Sequence, residues 1–270
     1  MDVKQPDYGN WVPLKIIYVL GILSIIMICI SIVSFGKFSF LMNLPVYILW
    51  ILRILALAIT LIVMAFLLYM LISRYLFSYN GGAVSSKILD YVLGHLQWDG
   101  SGKLLDIGCG SGAMTVKAAK KYQRAKLVGI DYWGIEWDYG EAQCRQNASL
   151  ERVDDRIDFT RGDAAALPFE DEYFDAAVSN FVFHEVKSQK DKRLVVKEAL
   201  RVVKKGGAFT FHDLFLDKNL YGNIDEFVEE LKNENISEIA VIKSEDEINI
   251  PRILKLPFML GSTALIYGKK

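Results

Sequence analysis

Leu104-Leu105-Asp106-Ile107-Gly108-Cys109-Gly110-Ser111-Gly112 is the stretch that decides the fold. An apolar run ends in an aspartate, three glycines then alternate with small residues, and a helical pattern follows from Ala113 to Tyr122. Glycines so placed let the chain turn tightly and let a ligand approach the backbone, while the helix start offers free N–H groups. Working outward, Lys103 to Ile107, Leu127 to Ile130, Ile157 to Thr160, Phe174 to Ser179 and Ala208 to Phe211 read as strands. Between them Ala113 to Tyr122, Tyr139 to Leu150 and Lys190 to Val203 read as helices, the last ended by Gly206 and Gly207. Such alternation gives right-handed crossovers and a parallel, doubly wound sheet. After a polar helix at Ile224 to Asn233, the runs Ile236 to Ile242 and Ser262 to Tyr267 fit a closing antiparallel hairpin. The expected fold is α/β, with a mostly parallel, seven-stranded Rossmann-like sheet and a closing antiparallel strand.

In a doubly wound sheet the ligand site lies beyond the carboxyl ends of the strands. The glycine run alone leaves two ligand classes open. Gly108-x-Gly110-x-x-Ala113 also satisfies the dinucleotide fingerprint, and Asp131, nineteen residues past Gly112, would hold a ribose in either case.

The motif set narrows this. The nonapeptide resembles the first motif of class I S-adenosylmethionine-dependent methyltransferases, whose acid two residues before the first glycine, here Asp106, is not part of the dinucleotide pattern. Gly129-Ile130-Asp131 is similar to that family's second-strand motif, and the resemblance implies that Asp131 holds the ribose hydroxyls. Gly162-Asp163-Ala164 resembles its adenine-contacting motif, and Phe174-Asp175-Ala176-Ala177-Val178-Ser179-Asn180 its fourth strand. Leu167-Pro168-Phe169 is similar to the small-molecule branch related to quinone-biosynthesis methyltransferases. The resemblance covers Gly82 to Gly207 and implies S-adenosylmethionine as cofactor, held by Asp106, Gly108, Gly110, Gly112, Asp131, Tyr132, Asp163, Ala164 and Asn180. The chemistry agrees: this cofactor has no phosphate and asks for hydrogen-bond acceptors. One aspartate at a strand end would ordinarily cap it in solvent, but Asp106, Asp131 and Asp163 follow three successive strands in motif context.

Past the fourth strand comes Asn180-Phe181-Val182-Phe183-His184-Glu185-Val186, without the two prolines that mark nucleic-acid amino methyltransferases. His184 and Glu185 are the catalytic candidates, His184 as a base that relays a proton from an acceptor O–H or S–H. The alternative is that His184 packs at a strand-helix junction while Glu185 is solvated. His212-Asp213 is a second candidate, and His95 reads as structural. The aromatic stretch Tyr132-Trp133-Gly134-Ile135-Glu136-Trp137-Asp138-Tyr139 either stacks on adenine and walls an apolar pocket or caps the sheet edge.

The 270 residues carry 31 Lys+Arg against 32 Asp+Glu, a balance that excludes a nucleic-acid binder working by bulk positive charge. Residues 1–75 hold Lys4, Lys15, Lys37, Arg53 and Arg74 against Asp2 and Asp7, a local +3, and the rest carries −4. Cys29, Cys109 and Cys144 form no C-x-x-C pair, which fits a reducing compartment and suggests neither a disulfide framework nor a thiolate metal site. No His/Cys/Asp cluster has metal-ligand spacing, so no metal is expected.

Ile16 to Gly36 is 21 residues without a charge and Ile54 to Ser73 another 20, each long enough to cross a hydrocarbon core of about 30 Å. The first run is too long for a signal peptide and lacks a small-x-small cleavage site, and the second lacks the polar face of a soluble helix. Residues 1–75 are thus expected to be a membrane anchor with spans at 16–36 and 54–73, residues 76–101 a juxtamembrane link and leading helix, and residues 102–270 the cofactor-binding domain. Arg53 sits where a long cation snorkels to the interface. Lys4, Lys15, Arg74 and Lys87 fall on one side and the connection with Lys37, Asn43 and Pro45 on the other, so both ends are expected in the cytoplasm.

Together these features describe an integral membrane protein, in the cell membrane, whose domain moves a methyl group from S-adenosylmethionine to a small, apolar acceptor. The partners are that acceptor and the lipid bilayer, with no nucleic acid. The rivals are an NAD(P)-dependent oxidoreductase, disfavoured by Asp106 and Asp163, and a non-catalytic S-adenosylmethionine-binding scaffold.

Overall fold

Four consecutive buried residues, Leu104 to Ile107, make the first strand a central one, covered on both faces as a parallel sheet requires. The computed structural model describes residues 5–36, 44–134, 140–234, 236–257 and 259–270. Its strands are β1 (Gly102–Ile107), β2 (Ala125–Asp131), β3 (Ile157–Arg161), β4 (Phe174–Asn180), β5 (Val203–Asp213), β6 (Glu238–Lys243) and β7 (Ala264–Lys269). They form one seven-stranded sheet in the order β3-β2-β1-β4-β5-β7-β6. The first five in that order are parallel, and β7 runs antiparallel to both β5 and β6. The helices Ala113–Lys121, Glu141–Leu150 and Lys192–Arg201 supply the crossovers. Phe174, Phe183, Phe209, Phe211, Val195 and Ala199 lie in the core beneath the sheet.

Register fixes the functional edge. Asp106 lies opposite Gly129 and Val178, and Asn180 lies opposite His212. The strand ends carrying Asp106, Asp131, Asn180 and Asp213 therefore align along one margin of the sheet.

Two local expectations are corrected. The last crossover helix ends at Arg201 rather than Val203, and β5 begins at Val203, so Gly206 and Gly207 lie inside a strand. A register shift between Phe174 and Ala176 marks the irregularity. Gly206 has φ +75°, and a side chain on Gly207 would meet the Asp175 carbonyl at 2.9 Å. The closing antiparallel pair is as expected, and its long connection 244–263 lets β7 enter between β5 and β6. The second apolar helix spans Val46–Phe77, 32 residues, starting directly after Pro45.

Contacts divide the chain into two units, one of them Asn10–Ala83 and the other the sheet domain from Val84 onward together with N-terminal residues up to Gly9. The residues up to Gly9 join the sheet domain because Asp7 and Tyr8 bond to it. The Asp7 N–H donates to Asn147 Oδ1 at 2.9 Å, and the Ser111 hydroxyl donates to the Tyr8 carbonyl at 2.7 Å.

In the other unit, Leu14–Phe35 and Val46–Phe77 are long and apolar enough to cross a membrane, at ~33 and ~48 Å by the rise of an α-helix. The Ser31 and Thr60 hydroxyls meet at 2.8 Å between them. Arg53 lies inside the second helix, its Nε donating to the Ser34 carbonyl at 2.9 Å and its guanidinium over the Phe35 and Trp50 rings. The connection carrying Lys37 and Asn43 and the residues Asp2 and Lys4 lie outside the described residues.

Candidate active site

β1 delivers Asp106 into the interior, fully buried, with Thr115 Oγ1 donating to its Oδ2 at 2.5 Å. Its Oδ1 is buried with no hydrogen-bond partner among the described residues. Burial, with the nearby Asp131 charge, pushes its pKa up to about 7. A carboxyl oxygen left so is an acceptor waiting for a donor, and an ammonium group would supply one.

The glycine loop then turns over the end of β2. Gly108, Gly110 and Gly112 all adopt left-handed backbone, with φ of +71°, +58° and +82°. At Gly108 a side chain would also collide with Val182 at 2.1 Å. The N–H groups of Gly108 and Cys109 donate to the Ile130 carbonyl at 2.7 and 3.1 Å. Asp131, at the end of β2, accepts the Gly110 N–H at 2.8 Å and the Trp133 N–H at 2.7 Å. Burial raises its pKa against those two bonds. Trp133 Nε1 donates to the Gly110 carbonyl at 2.8 Å, which ties the residues after β2 back to the loop.

Tyr132, next to Asp131, stands 63% exposed with the Arg161 guanidinium over its ring. Residues Ile135 to Tyr139 of the aromatic stretch lie outside the described residues. Asp163 follows β3, accepts the Ala165 N–H at 2.9 Å and pairs in a bridge with Ala166, holding Ala164 at the turn.

On the far side of β1, Asn180 ends β4 and the next residue, Phe181, takes φ +62°, a strained backbone that redirects the chain over the edge. The turn that follows places His184 against Asp213 of β5. His184 Nδ1 and Asp213 Oδ1 are 2.7 Å apart, and Asp213 Oδ2 accepts the N–H groups of Val182 and Phe183 at 3.1 and 2.8 Å. Burial disfavours the Asp213 charge, yet His184 and the backbone donors hold its pKa below the usual carboxylate range. Burial likewise opposes a charge on His184, but Asp213 and Glu185 outweigh it and lift the imidazole above its ordinary value. His184 Nε2 lies 3.6 Å from Glu185 Oε1, whose side chain is 52% exposed.

His212, the other histidine of this edge, is enclosed. Its Nδ1 meets Asn180 Oδ1 at 2.8 Å, its Nε2 meets Ser244 Oγ at 2.9 Å, and burial pushes its pKa down to about 4. It therefore orients Asn180 and is no proton acceptor for a ligand. His95 bonds the Tyr91 carbonyl and Glu247 away from the loop. Sequence reasoning grouped Asp213 with His212, but side chains alternate along a strand, and Asp213 faces His184.

Asn147 escaped sequence reasoning altogether. It is buried in the helix Glu141–Leu150, and its Nδ2 donates to the Ser111 carbonyl at 3.0 Å. The one signal in sequence is an asparagine where an interior helix position favours alanine or leucine.

Residues 105–211 match the family model described as a methyltransferase domain. Norajmaline N-methyltransferase of Rauvolfia serpentina is 34% identical over 104 residues, 38% of this chain and 32% of that protein. Demethylmenaquinone methyltransferase of Roseiflexus castenholzii is 34% identical over 107 residues, 39% of this chain and 40% of its own length. The chain thus spans well under two thirds of either relative. Among solved structures, the [4+2]-cyclase SpnF superimposes with a TM-score of 0.52 at 19% identity, covering 70% of this chain and 82% of that one, a likeness of fold. With the motif acids, the left-handed glycine loop and this family match on one sheet, the domain belongs to the class I S-adenosylmethionine-dependent methyltransferases.

Proposed function

We propose that this protein is a membrane-anchored enzyme that transfers a methyl group from S-adenosylmethionine to a small, apolar acceptor, with its domain in the cytoplasm. The observation that carries the reading is the pairing, on one sheet edge, of the unsatisfied Asp106 oxygen with the His184–Asp213 dyad. Asp106 would meet the cofactor's amino group, Asp131 its ribose, and Tyr132, Asp163 and Ala164 its adenine, while Gly108, Gly110 and Gly112 give it access to the backbone and Asn180 borders its acceptor side. When bound, the cofactor supplies a methyl carbon already activated by a sulfonium. The chain's own work is then placement and proton removal. His184 Nε2 accepts the proton of an O–H, S–H or N–H acceptor, Asp213 holds the ring and balances the imidazolium, and exposed Glu185 passes the proton to water.

Titration calorimetry with S-adenosylmethionine and with NAD tests the cofactor. Binding of NAD in preference would establish the oxidoreductase rival, and cofactor binding without turnover of any acceptor would establish the scaffold. Metabolite profiling of cells with and without the protein, for species differing by one methyl group, identifies the acceptor.

A pH dependence follows from Asp106. An ammonium group binds its carboxylate, which is present above pH about 7 and lost below it. S-adenosylmethionine affinity is expected to decline on the alkaline side as the cofactor's own amino group loses its proton, and on the acid side of Asp106 to fall about tenfold per pH unit. Asp106→Asn should abolish this slope, and an unchanged slope in that variant would remove Asp106 from the cofactor site.

Membrane anchoring is supported by the two apolar helices, whose outward side chains such as Ile22, Ile25, Ile32, Leu61 and Ile62 are exposed. Residues up to Gly9 and from Val84 onward belong to one folded unit, which supports an even number of crossings with both ends on one side. The excess of Lys and Arg near those ends supports the cytoplasmic side. Cysteine at Asn43, in a Cys29→Ala background, is expected to react with an impermeant thiol reagent on intact cells. Labelling only after permeabilisation would overturn the topology in favour of helices lying in the interface.

A further inference from the structure

We infer that Asp7 and Tyr8, with Asn147, are positioning residues for the cofactor: a clasp that holds the glycine loop in its binding conformation. This rests on the cofactor assignment above. An asparagine side chain buried in a helix costs stability unless its polar atoms are all bonded. Asn147 is 1% exposed, and two of its three hydrogen bonds go to the backbone of one residue far away in sequence. Its Oδ1 accepts the Asp7 N–H, and its Nδ2 donates to the Asp7 carbonyl at 2.6 Å as well as to the Ser111 carbonyl.

The same helix adds two more ties. Gln143 Nε2 donates to the Asp7 carbonyl at 2.6 Å, and Cys144 Sγ donates to the Gly110 carbonyl at 2.9 Å. Tyr8 reaches the loop directly, since its carbonyl receives the Ser111 hydroxyl, and its own phenol donates to Glu151 at 3.1 Å. The segment is turned for this by Gly9, at φ +66°, whose N–H closes back on Asp7 Oδ1 at 2.9 Å. The N-terminal segment, the helix and the loop thus bind one another at Ser111, next to the Gly110 N–H that Asp131 accepts. A shift of Ser111 moves Gly110 and with it the carboxylate that receives the ribose. None of the N-terminal residues falls within the matched family region, 105–211.

The test uses the full-length protein and S-adenosylmethionine as probe. Ser111→Ala and Asn147→Ala are each expected to raise the dissociation constant about 5- to 30-fold, the effect of losing one or two hydrogen bonds, while Ser111→Thr, which keeps the hydroxyl, restores it. Linkage supplies a readout that a merely structural role does not move: if the clasp strengthens cofactor binding, the cofactor must strengthen the clasp. In the unmodified protein, saturating S-adenosylmethionine should slow hydrogen exchange at the Asp7 and Gly9 amides by the same factor. Cofactor binding with no change in that exchange, or an Ala variant of Ser111 that binds like the Thr variant, would overturn the proposal. An unmodified protein that fails to bind S-adenosylmethionine would overturn the functional reading and this one with it.

Discussion

Replacing His184 by alanine is expected to leave S-adenosylmethionine affinity nearly intact while lowering turnover about 10²- to 10⁴-fold, the range for loss of a positioned proton acceptor. The sign of the pH dependence follows from the dyad. Only neutral imidazole accepts a proton, and Asp213 and Glu185 lift the His184 pKa above its ordinary value. The rate of the unmodified enzyme should therefore rise with pH through a titration displaced to the alkaline side of a free histidine. Asp213→Asn takes away the charge that lifts it, so the same limb should move toward acid while the maximal rate falls. A purely packing role for His184 gives another pattern, with thermal stability and cofactor binding lost together. Equal turnover in His184→Ala at saturating acceptor would eliminate it as base and leave Glu185, or an acceptor already ionised. His212 is not a substitute, since both its ring nitrogens are engaged.

Asp131→Ala should weaken S-adenosylmethionine binding by ~1 to 3 kcal/mol, because a charged acceptor is worth more than a neutral one and the loss is felt twice. On the proposed assignment the variant loses the ribose partner, and it also frees the Gly110 and Trp133 N–H groups that Asp131 accepts. Titration calorimetry with the full-length protein is the measurement. Undiminished affinity would remove Asp131 from the ribose position and with it the motif-based alignment of the cofactor.

The parallel sheet was legible because its signals are local. The run from Leu104 to Gly112 joins an apolar strand to a glycine turn and a helix start within nine residues, and the match holds. The start of β5 was not legible, because Gly206 and Gly207 read as a helix stop when they are the irregular part of a strand already begun at Val203. Asp213 was visible as a residue but not as a partner. Its pairing with His184 depends on the backbone turn at Phe181, a left-handed residue that sequence gives no reason to expect outside glycine. Asn147 and Ser111 lie still further from prediction, since what satisfies them sits more than one hundred residues earlier in the chain.

That separation bears on how the protein is made. Asp7 and Asn147 are 140 residues apart, and the apolar hairpin lies between them in sequence. At about 5 to 20 residues per second of synthesis, the N-terminal segment waits on the order of 10 s or more for its partner to emerge. Closing so long a loop carries an entropic cost, and contacts of such high order form late in folding. The glycine loop therefore acquires its last hydrogen bonds only after both apolar helices have left the ribosome. For the membrane-anchored enzyme proposed above, insertion into the bilayer and completion of the cofactor site become ordered events, with the membrane step first.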